Sequence, residues 1–277
     1  LAKLAAHKPA FVLTLGDLPY TDAAPAATTL PAYRGKYRDV RAFSEIVALF
    51  AAVPLFAMWD DHEVTNNWNG ATNKAQVDAA TSVWREYFPI RAVATDGGTY
   101  RAFQWGKTLH MFLLDTRRYR SANSAKDGSN KTMLGQAQKK WLFDGLKASK
   151  ATFKAIVTSV PLRYGTTGSD HWAGFANERS QLFAHIAKSG VKGVFFLAGD
   201  QHWSAVHHHP EGFVEVQACP ISAPLRDPPK KLAKEVVFVA KKRSFGILRI
   251  DKAGTTCAIE IRDEADELLH TEVVSAL

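Results

Sequence analysis

Hydrophobic positions along the chain fall into two textures. Mainly apolar runs at 11–15, 53–59, 109–114 and 191–198, interrupted only by Thr14, His110, Lys192 and Gly193 among non-proline positions, are short enough for strands. Their apolar residues are mostly consecutive rather than alternating with polar ones, as in strands buried on both faces. Between the runs lie stretches with apolar residues at helical spacing, 37–50, 73–87, 134–147 and 177–189. The last carries Leu182, Phe183, Ile186 and Ala187 on one face and is closed by Gly190. After Gly199 the pattern changes to shorter strands at 213–217, 236–239, 245–250 and 255–261, the final one following an Ala253-Gly254 turn. Strand and helix alternating, then strands alone, predict parallel βαβ units with an antiparallel finish. The natural packing is an α/β domain in which two mixed β-sheets lie face to face and helices flank them. Segments 21–30 and 121–131 read as loops that shape a site mouth.

The apolar runs end on acidic or imidazole residues: Gly16-Asp17, Asp60-Asp61-His62-Glu63, Asp115, and Gly199-Asp200-Gln201-His202. A carboxylate at the edge of a hydrophobic sheet loses hydration, and a nearby cation is what compensates that loss. For one such residue a turn or helix cap is an equal explanation; for four clusters a metal centre at the strand ends is the better one. Carboxylates suit hard ions and imidazole suits borderline transition metals, so an aspartate-rich, histidine-poor set points to a hard or mixed centre. His207-His208-His209 cannot all face one ion from a strand or helix and reads as a solvated turn before Pro210. Trp59, Trp68, Trp84 and Trp141 read as core or rim aromatics.

Composition narrows the picture without deciding it. A chain of 277 residues can bury a large two-layer core. No apolar stretch approaches the roughly 18 residues of a membrane span. The net charge of +8 suits anionic substrates. Its densest run, Lys230 to Arg243, has little interleaved aromatic character, so it reads as a solvated face and nucleic acid is expected only as a diester substrate. Cys219 and Cys257 allow at most one disulfide and read as small buried side chains. Gly-x-Ser-x-Gly is absent, which argues against a serine nucleophile.

Several motifs together carry a family resemblance. They are Gly16-Asp17-Leu18-Pro19-Tyr20, Trp59-Asp60-Asp61-His62-Glu63-Val64-Thr65-Asn66-Asn67-Trp68, and Leu114-Asp115-Thr116-Arg117-Arg118-Tyr119-Arg120. Further along come Leu134-Gly135-x-x-Gln138 before Trp141-Leu142, then Asp170-His171-Trp172-Ala173-Gly174-Phe175 leading to Glu178-Arg179, and Gly199-Asp200-Gln201-His202. In this order they resemble the PhoD-like alkaline phosphatase and phosphodiesterase group of the calcineurin-like metallophosphoesterases, over roughly three quarters of the chain. The resemblance implies the αββα sandwich already suggested by the strand pattern. It also implies an exported (periplasmic or extracellular) protein that hydrolyses phosphomonoesters or phosphodiesters with a metal-activated hydroxide. Members usually begin with a strand whose last residue ligates the first metal, upstream of residues 1–8. The chain is therefore expected to be a single domain, 1–277, without that strand, and the two cysteines match no such position. This departure keeps a second reading open, a metal-depleted, non-catalytic phosphate-binding relative.

By the same resemblance the expected metal ligands are Asp17, Tyr20, Asp61, Asp200 and His202, with Asp17 bridging two ions and Tyr20 offering a phenolate. Phenolate and carboxylate together suggest Fe3+ with Ca2+, with Mn2+ and Zn2+ as alternatives. His62 is expected as general acid or phosphate-binding group. Arg117 and Arg120 are expected as catalytic forks on the phosphate, against the alternative of ordinary surface salt bridges. Asn67, Asp170 and Trp172 are expected in substrate binding, Trp172 capping the pocket; for Asn67 a turn role is equally open. Asp115 is read as orienting the arginines.

Overall fold

A computed structural model describes residues 1–90, 98–162 and 168–276. The chain opens with α1 (Ala2–Ala6) and β1 (Val12–Leu15), then α2 (Leu30–Arg41), α3 (Ser44–Ala52), β2 (Leu55–Met58) and α4 (Lys74–Tyr87). Next come β3 (Arg101–Trp105), β4 (Leu109–Leu113), α5 (Gly135–Ala148) and β5 (Phe153–Val157). A short 3-10 turn (Trp172–Phe175) leads into α6 (Ala176–Ser189) and β6 (Val194–Ala198). The chain closes through β7 (Ser204–His208), β8 (Val214–Gln217), β9 (Val236–Ala240), β10 (Ser244–Ile250), β11 (Thr256–Asp263) and β12 (Leu268–Ser275).

One layer is a seven-stranded mixed sheet in the order β3-β4-β5-β6-β8-β7-β9, parallel through β4, β5, β6 and β8. The facing layer comes in two hydrogen-bonded pieces, the parallel pair β1-β2 and the antiparallel β10-β11-β12. Strand alternation shows how the layers meet. Leu109, Met111 and Leu113 of β4, with Phe153, Ala155 and Val157 of β5, pack against Leu13, Phe56, Ile259 and Ile261 of the facing layer. Phe112, Ile156 and Phe196 point the other way, into a core closed by Leu142 and Leu146 of α5 and Leu182 and Ile186 of α6. Outside the second layer, α2 and α4 bury Tyr33, Tyr37, Val83 and Trp84 against Ala57, Trp59 and Trp68. The result is helix, sheet, sheet, helix, as the pattern of apolar runs predicts.

The expected single helix at 37–50 is two helices, α2 and α3, separated at Ala42-Phe43, where Phe43 is extended (φ −73°, ψ 119°). The histidine tract also departs from expectation. His208 is exposed, but His207 and His209 are buried on and just after β7, where the side chains alternate across the strand. Both imidazoles approach the wholly buried Glu215 of β8, His209 Nε2 at 2.9 Å and His207 Nδ1 at 3.8 Å from Oε2. The tract is thus part of the core, not a solvated turn. The run from Lys230 to Arg243 has its six cationic residues exposed, as expected.

Candidate metal centre and its surroundings

Five strand ends converge, those of β1, β2, β4, β5 and β6, and each hands a polar turn to the same place. Close packing of the first two ends depends on Gly16. Its φ is +108°, and a Cβ there would lie 2.5 Å from the Asp60 Cβ. Glu63 ties the two turns together, accepting hydrogen bonds from the Leu18 N–H (2.7 Å) and the Asp60 N–H (2.8 Å). Beneath β4, Asp115 accepts the backbone N–H groups of Arg117 (3.2 Å) and Arg118 (3.0 Å) and the Trp59 indole N–H (3.0 Å). Gln138 of α5 in turn holds the Asp115 backbone at both N–H and C=O. These contacts give the Leu134-Gly135-x-x-Gln138 motif its physical meaning: it fixes a strand end from below.

The carboxylates themselves form two overlapping groups. One ligating atom each from Asp17, Asp61 and His62, and separately from Asp60, Asp61 and Asp200, lie within 4.8 Å of one another. Asp17 Oδ1 and Asp61 Oδ1 are buried and have no hydrogen-bond partner among the described residues, a condition that buried anionic oxygens rarely keep without a cation. The donor set is oxygen-rich with one or two imidazoles, which fits a hard or mixed ion pair. The backbone is strained here as well. Asp17, Asn67, Asp200 and His202 have φ of 60°, 54°, 72° and 59°, conformations that cost non-glycine residues about 1–3 kcal/mol each and gather at functional sites.

Tyr20 and His202 close one side. The Tyr20 hydroxyl donates to Asp17 Oδ2 (3.1 Å) and lies 2.8 Å from His202 Nε2, which is itself 3.9 Å from Asp17 Oδ2. His202 Nδ1 is 2.7 Å from the Pro224 carbonyl oxygen. That contact assigns the ring proton to Nδ1 and leaves the Nε2 lone pair facing the carboxylates. Burial, with the neighbouring Asp17 charge, holds the Tyr20 phenol far above its ordinary ionisation range.

His62 lies on the same side, stacked on Tyr20 at 4.0 Å between ring centroids. Its Nδ1 contacts both oxygens of Asp22 at 2.8 Å, and its Nε2 stands 4.0 Å from Asp61 Oδ1. Burial alone would lower the imidazole pKa. The Asp22 contact and the charges of Asp61 and Asp17 outweigh it and raise the value to about 9. Asp22 was not among the sequence candidates; it stands two residues beyond the motif tyrosine, in a segment without periodicity.

The arginines occupy a place that neither sequence alternative described. Arg117 is wholly buried, with Nε and Nη2 donating to Asp60 (2.6 and 3.0 Å) and Nη1 and Nη2 donating to Asp170 (2.8 and 3.0 Å). Arg120, equally buried, donates from Nη1 to the Asp170 carbonyl (2.7 Å) and carboxylate (3.0 Å), and from Nε to the Thr116 carbonyl. Both are internal clamps between strand ends rather than phosphate forks or surface ion pairs. Asp170, expected to touch substrate, is the other jaw of the clamp, and the two guanidinium groups hold its pKa down against the effect of burial. Trp172 is a correction too. It is fully buried in the core on the α5/α6 side, its indole N–H donating to Thr158 Oγ1 at 3.0 Å, so it caps no pocket. Asn67 is exposed. Its backbone N–H donates to Asp61 Oδ2 (2.7 Å), and its amide nitrogen, in the orientation that lets it donate, is 3.2 Å from Asp61 Oδ2 and Asp170 Oδ2.

Asp60, read from sequence only as a member of the acidic cluster with no role of its own, is central to the site. It accepts from Arg117 and from Ser159 Oγ (2.5 Å), and burial, reinforced by Asp61, raises its pKa even with Arg117 beside it. Asp200 and Asp61 are raised as well, foremost by burial. The site thus gathers more carboxylate than its one central guanidinium balances.

A two-layered β-sandwich with helices outside and an acidic cluster at its strand ends defines the metallophosphoesterase type of fold. The solved structure of PhoD superposes with a TM-score of 0.84 at 22% identity, covering 99% of this chain and 64% of that one. Purple acid phosphatase PPD1 from yellow lupin (Lupinus luteus) seeds superposes at 0.68 with 13% identity, over 99% and 48% of the two chains. GAP50, the anchor in the inner membrane complex of Plasmodium, does so at 0.63 with 12% identity, over 99% and 81%. Alkaline phosphatase D of Bacillus subtilis (strain 168) is 30% identical over 213 residues, 65% of this chain and 36% of that protein; the chain spans about a third of this curated relative. The family model for PhoD-like phosphatases matches residues 1–267, and the chain belongs to that family.

Proposed function

We propose that this protein is a metal-dependent phosphoesterase acting on phosphomonoesters, phosphodiesters or both. The observation that carries the reading is the pair of buried, partnerless oxygens, Asp17 Oδ1 and Asp61 Oδ1, grouped with Asp60, His62 and Asp200, with His202 Nε2 3.9 Å from Asp17 Oδ2. The fold alone would not carry it, since the same sandwich serves as an anchor in GAP50.

In this reading Asp17, Asp61, Asp200 and His202 hold the ions, and Tyr20 joins them as a phenolate where the ion is strongly acidic. That requirement favours Fe3+ alongside Ca2+, with Mn2+ or Zn2+ as alternatives. Bound ions supply the charge that activates water for attack at phosphorus and neutralises the phosphoryl oxygens. The protein's own groups do the rest. His62 is oriented by Asp22 through Nδ1, leaving an Nε2 proton available to the departing ester oxygen. Asn67 holds the rim carboxylates by two hydrogen-bond routes. Arg117 and Arg120 fix Asp60 and Asp170 and so set the spacing of the strand ends. Among the described residues no helix is long and apolar enough to cross a membrane; export is part of the proposal.

The test is metal analysis of the purified protein together with rates on p-nitrophenyl phosphate and bis(p-nitrophenyl) phosphate. Bound metal with hydrolysis of at least one ester, lost on chelation and restored by metal, is expected. A metal-free protein that hydrolyses neither after reconstitution overturns the reading in favour of a non-catalytic relative.

A further inference from the structure

Arg117 and Arg120 are locked onto carboxylates, so a guanidinium free to meet substrate has to come from another segment. The segment that follows β8 supplies one. It is fastened to the candidate ligand His202 at two points: the Pro224 carbonyl oxygen lies 2.7 Å from His202 Nδ1, and the Arg226 N–H donates to the His202 carbonyl at 3.2 Å. One residue further on, Asp227 is held by Lys241 at 2.6 Å. Arg226 therefore stands between two anchors, beside the metal centre. Its side chain is exposed and has no hydrogen bond or ion pair among the described residues. Lys230, Lys231 and Lys234 continue the positive character outward along the same segment, all exposed.

A cation held at the rim by its backbone, with an uncommitted fork, is arranged to meet an anion larger than the one phosphoryl group under attack. We propose that Arg226 binds a second anionic group of the substrate, so that the site favours phosphate esters bearing a further negative charge beyond the scissile phosphate. The inference rests on the phosphoesterase reading above and names the substrate class within it.

Competition against p-nitrophenyl phosphate hydrolysis tests the proposal, because it reads binding whether or not the competitor is turned over. The probes are a thymidine dinucleotide with and without a terminal phosphate. The wild-type protein is expected to bind the phosphorylated form about fivefold more tightly at low salt, the scale of one exposed ion pair, with the preference fading as salt rises. Arg226→Gln should bring the ratio of inhibition constants close to one, Arg226→Lys should keep part of it, and Lys252→Gln, which removes an equal charge from an exposed turn between β10 and β11, should keep all of it. An unchanged ratio in Arg226→Gln, or equal losses in Arg226→Gln and Lys252→Gln, overturns the proposal. Failure of the wild-type protein to hydrolyse p-nitrophenyl phosphate at all would instead overturn the function reading, so the two failures are distinguishable.

Discussion

Two of the buried carboxylate sites, around Glu215 and around Asp61, are built on opposite principles. Around Glu215 both carboxylate oxygens find hydrogen-bond partners within the fold. His209 and His207 face one oxygen, the Leu162 N–H donates to the other at 2.8 Å, and although burial works against ionisation these partners bring the carboxyl down to about 2. Around Asp61 the balance is left open. Asp17, Asp60 and Asp200 add negative charge, Arg117 is shared between Asp60 and Asp170, and burial drives Asp60, Asp61 and Asp200 upward. A cluster that satisfies itself stabilises the native state unaided; one that does not is stabilised by what it binds. The second kind of cluster is the mark of a site.

The largest effect that would test this contrast is on the clamp. Arg117→Met removes the cation shared by two buried carboxylates and should lower unfolding free energy by about 3–5 kcal/mol in denaturant titration; a loss below about 1 kcal/mol would mean that Asp60 and Asp170 find other partners.

Next is Glu215, whose folded pKa of about 2 lies below its ordinary 4.5. A depressed carboxyl stabilises the fold at pH values above 4.5, and that stabilisation disappears as pH falls through the folded value. Glu215→Gln should therefore cost on the order of 3 kcal/mol at neutral pH, and the gap from wild type should close between pH 4.5 and about 2. A gap independent of pH would show that packing, not charge, is what Glu215 contributes.

In the open cluster, Asp17→Asn and His202→Ala should each lose bound metal and reduce hydrolysis at least about a hundredfold. Normal metal content with wild-type rates in either variant would remove that residue from the ligand set. The smallest effect has the opposite sign. Asp61→Asn removes a charge whose burial outweighs its attraction to Arg117 and His62 in the metal-free protein, so with chelator present the variant should be more stable than wild type by about 1 kcal/mol, whereas a destabilised variant would mean those two cations compensate the charge fully. The Asn67 N–H, 2.7 Å from Asp61 Oδ2, retains an acceptor in the asparagine.

Legibility in the sequence followed the same division. Strands buried on both faces announce themselves as apolar runs, and the turns after them carry aspartates that no helix or strand pattern requires, so the layered fold and the acidic cluster could both be read. Strands of mixed character could not. β5 is interrupted by Lys154, whose ammonium reaches the Lys192 carbonyl at 3.0 Å at the sheet end, and β12 reads Leu-Leu-His-Thr-Glu-Val-Val-Ser, without a period of two and with Leu268 and Val273 exposed. Asp22 was missed because its partner His62 is 40 residues away and only the fold joins them. Arg117, Arg120 and Trp172 were misread for one shared reason. A motif says that a residue matters near a site, but not whether it faces the ligand or holds the groups that do. Their burial, at 0%, 1% and 0% exposure, decides the matter.

The contact between Tyr20 and His202 spans 182 residues, and His7 meets Asp266 across 259. During synthesis the early strands β1 and β2 emerge with their aspartates long before the histidine that completes the cluster, and contacts so distant along the chain form slowly. The nascent chain thus carries a half-built patch of Asp17, Asp60, Asp61 and His62 that gains Asp200 and His202 only after β6 has docked. A ribosome-bound chain ending before residue 202 should take up metal weakly, and uptake should strengthen once His202 and the Pro224 segment have left the exit tunnel.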